Sequence, residues 1–326
     1  MTGAGGFVGS HLAPALAAAY PDAERIALRR PGSRHEIAGW TSISCDLTDL
    51  AGVREAVRYA RPDLVVHLAA QASMMRSIQG AEQTWRANFI GTLNLGYTLI
   101  EHAPHALFFF TSSATVYGAS YRNGVVDEET PLLPIDAYSN AKLAAERALA
   151  DILPDTARLV IARPVNHSGP GQDCRYFALP SFAAQIARIE QGLAEPRIKV
   201  GDLSKARDFL DVRDVVRAYM QLIETGSPPL EQIACFNVSS GEPHTMQSFL
   251  DLMRAQATTP FDVVVDPSLI RPSVTDVPVT ACRSTRLREA TGWSPRYSMA
   301  DVTLSLLEHW RLETARSRSE RRTTAD

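Results

Sequence analysis

Short apolar segments alternate with longer amphipathic ones through the first half of the chain. The alternation predicts strands at 25–29, 42–45, 64–68, 106–110 and 158–163, and helices at 6–20, 49–60, 78–103 and 135–152. Parallel strands joined by crossover helices produce such a pattern. We therefore predict the α/β class, with a doubly wound parallel sheet of the Rossmann type.

The sequence pattern changes after Arg163, where loops rich in glycine and proline separate single predicted helices and strands. Strand and helix patterns return at about 208–240. We predict a Rossmann domain made of 1–163 plus about 208–240, and a smaller discontinuous C-terminal substrate lobe made of 164–207 plus 241–312. The polar residues 313–326 have no apolar periodicity, which predicts a disordered tail.

Composition excludes several classes of protein. The net charge is -3 and 45% of the residues are hydrophobic, so nothing favours nucleic acid or an anionic membrane as a partner. No apolar run is long enough to span a membrane, and no signal peptide is evident. The four cysteines form no C-x-x-C pair, which argues against a metal site or a secreted disulfide framework. A cytoplasmic enzyme fits these features.

Glycines at positions 3, 6 and 9 form a G-x-x-G-x-x-G motif at the start of the first helix. Without side chains they permit a tight turn, a close approach of a pyrophosphate and close helix packing. The amides of the first helical turn would face the phosphates. A glycine-rich surface turn is the alternative, but the position ahead of a βαβ series favours a dinucleotide site that uses Gly3, Gly6 and Gly9.

The motif begins at residue 2, although such a fingerprint should follow a buried central strand. We expect this strand to be missing and hypothesise that the natural start lies upstream. If Met1 is the true start, backbone groups of the neighbouring strands would lack partners, at about 1–3 kcal/mol each.

Two arginines follow the second predicted strand of the sheet. Sites that prefer NAD carry Asp or Glu there to bind the ribose 2′-hydroxyl, whereas this chain has Arg29 and Arg30. Guanidinium groups suit a 2′-phosphate. We therefore expect NADP(H), with NAD as a possible cofactor and with solvated surface arginines as the alternative interpretation.

Tyr138 and Lys142 form a Y-x-x-x-K pair on one face of a predicted helix. With nine tyrosines and three lysines in the chain, chance gives about 0.08 such pairs. A nearby ammonium would lower the pKa of Tyr138 and make it a proton donor. Ser113 follows an apolar strand in TSSATVYG, at the edge where such sheets bind ligands, and is the third candidate. Simple capping of the strand end is the alternative for this serine.

Several motifs together carry a family resemblance: TGAGGFVGSHL, HLAAQ at 67–71, SSATVYG at 112–118 and YSNAK at 138–142. They resemble the extended short-chain dehydrogenase/reductases, the nucleotide-sugar epimerases and dehydratases. The resemblance implies the catalytic triad Ser113, Tyr138 and Lys142 and a homodimer, possibly a tetramer, through helices 78–103 and 135–152. It also implies further cofactor contacts from Phe7, Val8, Asp46, Leu47, Leu68, Ala69, Ala70, Asn88 and Arg163, besides Tyr138 and Lys142.

The second lobe narrows the resemblance. RPVNHSGPGQ at 163–172, VGDLSKARDFLDVRDVVRAY at 200–219 and RPSVTDVPV at 271–279 look like GDP-4-keto-6-deoxy-mannose reductases, with GDP-mannose 4,6-dehydratases as near relatives. This similarity implies that Asn166, Arg207 and Arg271, with Ser113, meet a nucleotide-diphosphate sugar. Structural salt bridges are the alternative for both arginines. Val165 and the apparent insertion of Val274 and Thr275 depart from the family pattern.

The residues after Ser113 bear on the reaction. Related dehydratases carry a carboxylate there and epimerase-reductases a cysteine, but this chain has Ala114 and Thr115. We therefore expect NADPH to reduce the C4 ketone of GDP-4-keto-6-deoxy-mannose to GDP-rhamnose. The alternatives are a UDP-sugar 4-epimerase with bound NAD, a GDP-mannose 4,6-dehydratase-like enzyme and a non-catalytic dinucleotide-binding regulator.

Overall fold

Parallel strands form the central sheet, as the alternation predicts. The computed structural model describes residues 1–33, 36–225, 232–270, 272 and 276–323. The strands of the central sheet are β1 (Ile26–Arg29), β2 (Thr41–Ser44), β3 (Leu64–His67), β4 (Leu107–Thr111), β5 (Arg158–Pro164) and β10 (Ile233–Val238). They lie in the order β2-β1 and β3-β4-β5-β10, and every pairing is parallel.

Met1 and Thr2 lie between β1 and β3, where we expected a strand to be missing. The Met1 carbonyl accepts from the Leu28 amide (2.9 Å), the Thr2 amide donates to the Val66 carbonyl (2.9 Å), and the Leu68 amide donates to the Thr2 carbonyl (3.3 Å). The expectation of wholly unpaired neighbours was therefore wrong at the carboxyl ends of β1 and β3. Met1 pairs with β1 and Thr2 pairs with β3.

Helices cover both faces of this sheet. The helices of the Rossmann part are α1 (Phe7–Ala19), α2 (Leu50–Ala60), α3 (Met74–Gln79), α4 (Ala81–Trp85), α5 (Gly91–His102), α6 (Ala137–Ile152) and α8 (Val212–Thr225). The side chain of Phe109 packs in the cluster with α1 and α8, while Phe108 and Phe110 pack in the cluster with α2, α5 and α6. This alternation along β4 is why its run of three phenylalanines is buried on both faces.

The helix predicted at 78–103 is interrupted in the structure. Gly80 separates α3 from α4 with φ -141° and ψ 62°, and a π-helical turn at Arg86–Ile90 precedes α5. The extra residue in a π turn rotates the neighbouring side chains relative to a regular helix. As a result Asn88 lies in the interior of the protein.

The second lobe is built from short sheets and three longer helices. Its strands are β6 (Asn166–Ser168), β7 (Arg197–Val200), β8 (Ala206–Arg207), β9 (Phe209–Asp211), β11 (His244–Thr245), β12 (Asp262–Val265) and β13 (Val279–Thr280), and its helices are α7 (Ala178–Glu190), α9 (Met246–Gln256), α10 (Thr285–Thr291) and α11 (Met299–Thr323). Helices α7, α9 and α11 share one apolar cluster. Strand β10 and helix α8 belong to the central sheet's layers, and the domain boundaries themselves stay a prediction.

Residues 313–323 are helical, so the prediction of disorder from residue 313 was wrong for this part of the chain. Helix α11 begins on buried residues such as Val302 and Leu306 and continues past them. The segment contains no proline or glycine, and Arg316 lies 3.5 Å from Glu313 one turn earlier. In the described part of the chain, no helix is long and apolar enough to cross a membrane.

Candidate active site

The glycine motif forms a tight turn between the Met1–Thr2 segment and α1. Gly3 has φ +69°, and a Cβ on it would lie 2.6 Å from the Ala69 amide nitrogen. A Cβ on Gly9 would lie 2.2 Å from the Gly3 carbonyl oxygen, and one on Gly6 would lie 3.2 Å from the same atom. Gly6 is the N-cap of α1 and brings no side chain to its first turn, which begins with Phe7 and Val8. This bare helix N-terminus is suited to a phosphate group.

The predicted cofactor loop Leu68–Ala70 is held by a chain of buried hydrogen bonds. The Ala69 amide donates to Thr2 Oγ1 (3.2 Å), which lies 2.6 Å from His67 Nδ1, and His67 Nε2 lies 2.8 Å from Thr92 Oγ1. Thr92 donates to the Asn88 carbonyl (2.8 Å), so it accepts from His67. Burial lowers the pKa of His67 to about 3, which keeps the ring neutral with its proton on Nε2.

Asn88, a predicted cofactor contact, supports this loop from the interior of the protein. It is fully buried; its Oδ1 accepts from the Gln71 amide (2.7 Å) and its Nδ2 donates to the Gln71 carbonyl (3.1 Å). Both ends of the side-chain amide are therefore committed to the backbone of the loop. Asn88 therefore positions the loop through its hydrogen bonds to the Gln71 backbone.

Charged groups meet at the carboxyl ends of β1 and β2. Hydrogen bonds from the Thr48 amide and hydroxyl lower the pKa of Asp46, and the positive charges of Arg86 and Arg30 lower it further. Arg30 and Arg86 are exposed, whereas Arg29 donates to the Ser33 carbonyl (3.3 Å). Leu47 lies beside Asp46, and its carbonyl accepts from Asn94 (2.9 Å). Arg86 was missed in the sequence because its place near Asp46 depends on the π turn.

Helix α6 places Tyr138 and Lys142 at the carboxyl ends of β4 and β5. It begins with a capping box in which the Asp136 side chain accepts from the Ser139 amide (2.9 Å) and the Ser139 hydroxyl accepts from the Asp136 amide (3.4 Å). Lys142 is 2% exposed; its Nζ donates to the Thr111 carbonyl (2.7 Å) and lies 4.9 Å from the centre of the Phe110 ring.

Burial dominates the electrostatics of this pair. It raises the pKa of Tyr138 to about 12, although a hydrogen bond with Ser113 lowers it in part. Burial lowers the pKa of Lys142 to about 7, and the negative charge of Glu146 opposes this decrease. The prediction that Lys142 lowers the pKa of Tyr138 was therefore wrong in this structure. The Lys142 ammonium donates to the Thr111 carbonyl. Burial of the tyrosinate raises the pKa of Tyr138 by more than the hydrogen bond with Ser113 lowers it.

Ser113 lies within hydrogen-bonding reach of the Tyr138 phenol. Its Oγ accepts from the Thr115 amide (3.2 Å) and the Thr115 hydroxyl (3.0 Å), so the serine also caps the short 3₁₀ helix at Ala114–Tyr117. The capping alternative and the catalytic role are thus compatible in one residue. The three predicted catalytic residues are brought together at one edge of the sheet.

Arg163, a predicted cofactor contact, is buried. Its Nε and Nη2 donate to the two carboxylate oxygens of Glu146 (3.0 and 2.6 Å), and its Nη1 donates to Tyr117 Oη (3.1 Å). This buried ion pair uses the whole guanidinium group. The guanidinium of Arg163 therefore has internal partners, and its contact with a cofactor stays a prediction.

The predicted substrate residues lie in the second lobe. Asn166 is exposed at the start of β6, and its Nδ2 is 3.5 Å from the Asp208 carbonyl. Arg207 forms an ion pair with Asp276 (2.6 Å), which matches the salt-bridge alternative. A diphosphate would have to compete with this carboxylate. Arg271 lies outside the described residues.

The two lobes touch at the first turn of α1. The Phe7 ring stacks on His167 with 6.1 Å between ring centres, and His11 Nε2 lies 2.9 Å from the Pro170 carbonyl. Phe7 therefore contacts β6, which starts at the predicted substrate residue Asn166. The start of α1, next to the glycine motif, and the segment 166–170 are therefore held next to each other.

Comparisons with known proteins agree with this geometry. The family described as GDP-mannose 4,6 dehydratase matches residues 1–305. The GDP-6-deoxy-D-mannose reductase of Pseudomonas aeruginosa is 33% identical over 95% of this chain and 96% of its own. The structure of RMD from Pseudomonas aeruginosa with NADPH has a TM-score of 0.78 at 32% identity and covers 95% of this chain and 97% of its own. A UDP-glucose 4-epimerase of Mycolicibacterium smegmatis is 26% identical over 95% and 97% of the two chains.

The matched residues 1–305 span both lobes of the chain. These similarities confirm the resemblance to nucleotide-sugar epimerases and dehydratases and the Rossmann fold. The chain belongs to the GDP-mannose 4,6-dehydratase family.

Proposed function

We propose that the protein uses NADPH to reduce the C4 ketone of GDP-4-keto-6-deoxy-mannose and forms GDP-rhamnose. The observation that carries this proposal is the 33% identity, over 95% of the chain, to a GDP-6-deoxy-D-mannose reductase. The site supports it because a ketone reduction needs one hydride, one proton donor and one group that polarises the carbonyl. Tyr138 and Ser113 fill the last two roles.

The residues present fit a dinucleotide. A Cβ at Gly3 or Gly9 would lie only 2.6 or 2.2 Å from backbone atoms, so the tight turn requires glycine, and the N-cap Gly6 leaves the N-terminus of α1 without a side chain. Gly3, Gly6, Gly9, Phe7 and Val8 would hold the pyrophosphate, and Leu68–Ala70 would line the ribose. When bound, NADPH supplies the hydride.

Proton transfer is assigned to Tyr138. Its phenol keeps its proton near neutral pH because burial raises the pKa to about 12, so it can donate to the C4 oxygen as negative charge develops there. Ser113 would hydrogen-bond the same oxygen, and Lys142 would contact the nicotinamide ribose. The ketone gains a hydride at carbon and the Tyr138 proton at oxygen, and Tyr138 regains a proton from solvent after the alcohol has formed.

The neighbours of Ser113 favour reduction over elimination. Ala114 and Thr115 have no carboxyl group, so neither can protonate a leaving hydroxyl group. Ala114 is buried, and the Thr115 hydroxyl donates to Ser113. Arg29 and Arg30, at the end of β1, support NADPH over NADH, because guanidinium groups pair with a 2′-phosphate.

The first prediction tests this reaction. We expect purified protein with GDP-4-keto-6-deoxy-mannose to consume NADPH, and Tyr138→Phe to lower kcat by about 100-fold or more, because general acid catalysis is typically worth about 10²–10⁴. NADPH absorbance measures the rate. The matched control is Tyr59→Phe, on an exposed tyrosine of α2, which should keep the wild-type rate.

A wild-type protein without turnover on this substrate would overturn the proposal. The same preparation would then be tested with UDP-glucose and NAD, because a UDP-glucose 4-epimerase is also among the relatives. Interconversion of UDP-sugars without net consumption of cofactor would establish the epimerase instead.

A further inference from the structure

Glu146 is a buried acidic residue that the proposed reaction does not use. It lies on α6 one turn after Lys142 and is 4% exposed. Its carboxylate accepts two hydrogen bonds from Arg163 and one from the Ser112 hydroxyl. It thus contacts the end of β5 and the residue next to Ser113. The Glu146 carboxylate therefore connects α6, which carries Tyr138 and Lys142, to the segment that carries Ser113.

Lys142 has few interactions that stabilise a positive charge. Its ammonium donates to one carbonyl and faces the Phe110 ring, and its side chain is almost fully buried. Burial strongly disfavours an ammonium group unless an opposite charge lies nearby. In the described chain, Glu146 is the acidic group whose charge acts on Lys142, and it raises the pKa of that amine.

Other titratable groups near this amine cannot replace Glu146. His67 on β3 and Tyr138 on α6 lie near Lys142 itself. Arg163 on β5, Tyr117 in the 3₁₀ helix after β4 and Cys235 on β10 lie near the Glu146–Arg163 ion pair. Burial raises the pKa values of the phenols and the thiol and lowers that of the histidine, so all four are neutral near pH 7. Arg163 is positive and opposes a second cation.

The charges of this cluster therefore leave one excess positive charge when Lys142 is protonated. The Glu146 carboxylate acts on two cations. It forms an ion pair with Arg163, and its negative charge raises the pKa of Lys142. Removing the carboxylate would leave the Arg163 guanidinium and the Lys142 ammonium buried without the acidic group that acts on both. Removing the guanidinium would leave the full carboxylate charge to Lys142.

We propose that Glu146 is a positioning residue that favours the charged form of Lys142 within the catalytic site, while Arg163 limits this effect. This inference rests on the proposed function only in that Lys142 serves the reaction. The protonation of the amine itself can be measured without substrate.

The second prediction is a titration of Lys142. The chain has three lysines, so protein labelled with ¹⁵N at the lysine side chains gives few signals, and Lys142→Met identifies the one of interest. Lys199 and Lys205, which are more exposed, are internal references. In Glu146→Gln we expect the titration midpoint of Lys142 to fall by about one pH unit or more, because an opposite charge nearby shifts a pKa by about that amount.

Two further variants separate charge from structure. Ser112→Ala removes a hydrogen bond to Glu146 but no charge, so the Lys142 midpoint should stay within about 0.3 units of wild type. Arg163→Gln removes the opposing cation, so the midpoint should rise. An unchanged midpoint in folded Glu146→Gln would overturn the proposal. If that variant does not fold, a midpoint that falls or stays constant in Arg163→Gln would do so.

The activity assay then distinguishes the two proposals. If Glu146 acts through Lys142, Glu146→Gln should change the pH dependence of kcat/KM by moving the limb that reports Lys142 to lower pH. If the wild-type protein does not turn over the GDP-sugar, the proposed function fails, but the substrate-free titration still decides the role of Glu146.

Discussion

Tyr138 and Lys142 lie in the same buried site, and desolvation shifts their pKa values in opposite directions. Each group is driven toward its neutral form, a phenol and an amine. A neutral phenol is the form that can donate a proton to a ketone. A partly charged lysine can respond to the neighbouring carboxylate. The residue-level chemistry of the site therefore depends on burial more than on the sequence spacing of the pair.

The third prediction concerns the stability of the protein against pH. Lys142 has an ordinary pKa of 10.5 when unfolded and about 7 when folded, so between these values the unfolded state binds more protons. Its contribution to stability should therefore rise with pH, by up to about 1.4 kcal/mol per unit. Chemical denaturation at several pH values would show this rise as a difference between wild type and Lys142→Met. A stability difference that stays constant between pH 7 and 10.5 would contradict the lowered pKa of Lys142.

At the level of elements, the glycine loop and α1 are joined by contacts that allow no side chain. The Gly9 position faces the Gly3 and Ala4 carbonyl oxygens, which belong to the backbone and cannot move like a side chain. The cofactor loop is fixed separately, through Thr2, His67, Thr92 and the π turn that holds Asn88. The two loops of the predicted cofactor site therefore depend on different neighbours.

The fourth prediction tests the first of these contacts. Gly9→Ala should push α1 away from the turn and destabilise the protein by about 1–3 kcal/mol, the usual result of overpacking. It should also weaken NADPH binding, measured by nucleotide fluorescence. Gly80→Ala is the matched control, because its Cβ would find its nearest neighbour at an ordinary 3.4 Å. Equal stability of the two variants would argue against this packing.

At the scale of the whole molecule, α4, the π turn and α5 pack beside α6 and carry exposed apolar side chains. Trp85 is 37%, Ile90 38% and Tyr97 46% exposed. These helices correspond to the segments 78–103 and 135–152 that we predicted as a dimer interface. Large exposed apolar side chains favour association. The homodimer remains a prediction, as does a tetramer.

The fifth prediction concerns this association. We expect light scattering to give about twice the chain mass of 35.6 kDa for wild type. Tyr97→Asp should shift the protein toward monomer, because it would bury a charge in the interface. Tyr59→Asp, on an exposed tyrosine outside these helices, is the control. A monomeric wild type, or dissociation caused only by Tyr59→Asp, would show that the interface lies elsewhere or does not exist.

The sequence by itself determined the features that depend on neighbours close in the chain. Alternating apolar segments predicted the sheet and its helices, the spacing of Gly3, Gly6 and Gly9 predicted the turn, and the i,i+4 spacing brought Tyr138 and Lys142 to one face. Each follows from backbone geometry over a few residues. The helical extension to residue 323 was missed because polarity was taken for disorder, although the segment lacks helix-breaking residues.

Only the tertiary structure decided how the polar side chains are paired. Arg163 was expected at the cofactor and binds Glu146, Asn88 supports Gln71 from the interior, and Arg207 pairs with Asp276. The direction of the Tyr138 pKa shift was also decided by the surroundings, because burial comes from segments far apart in the chain. Sequence spacing places a charged residue on an element. The fold determines which opposite charge lies next to that residue and how far its side chain is exposed to water.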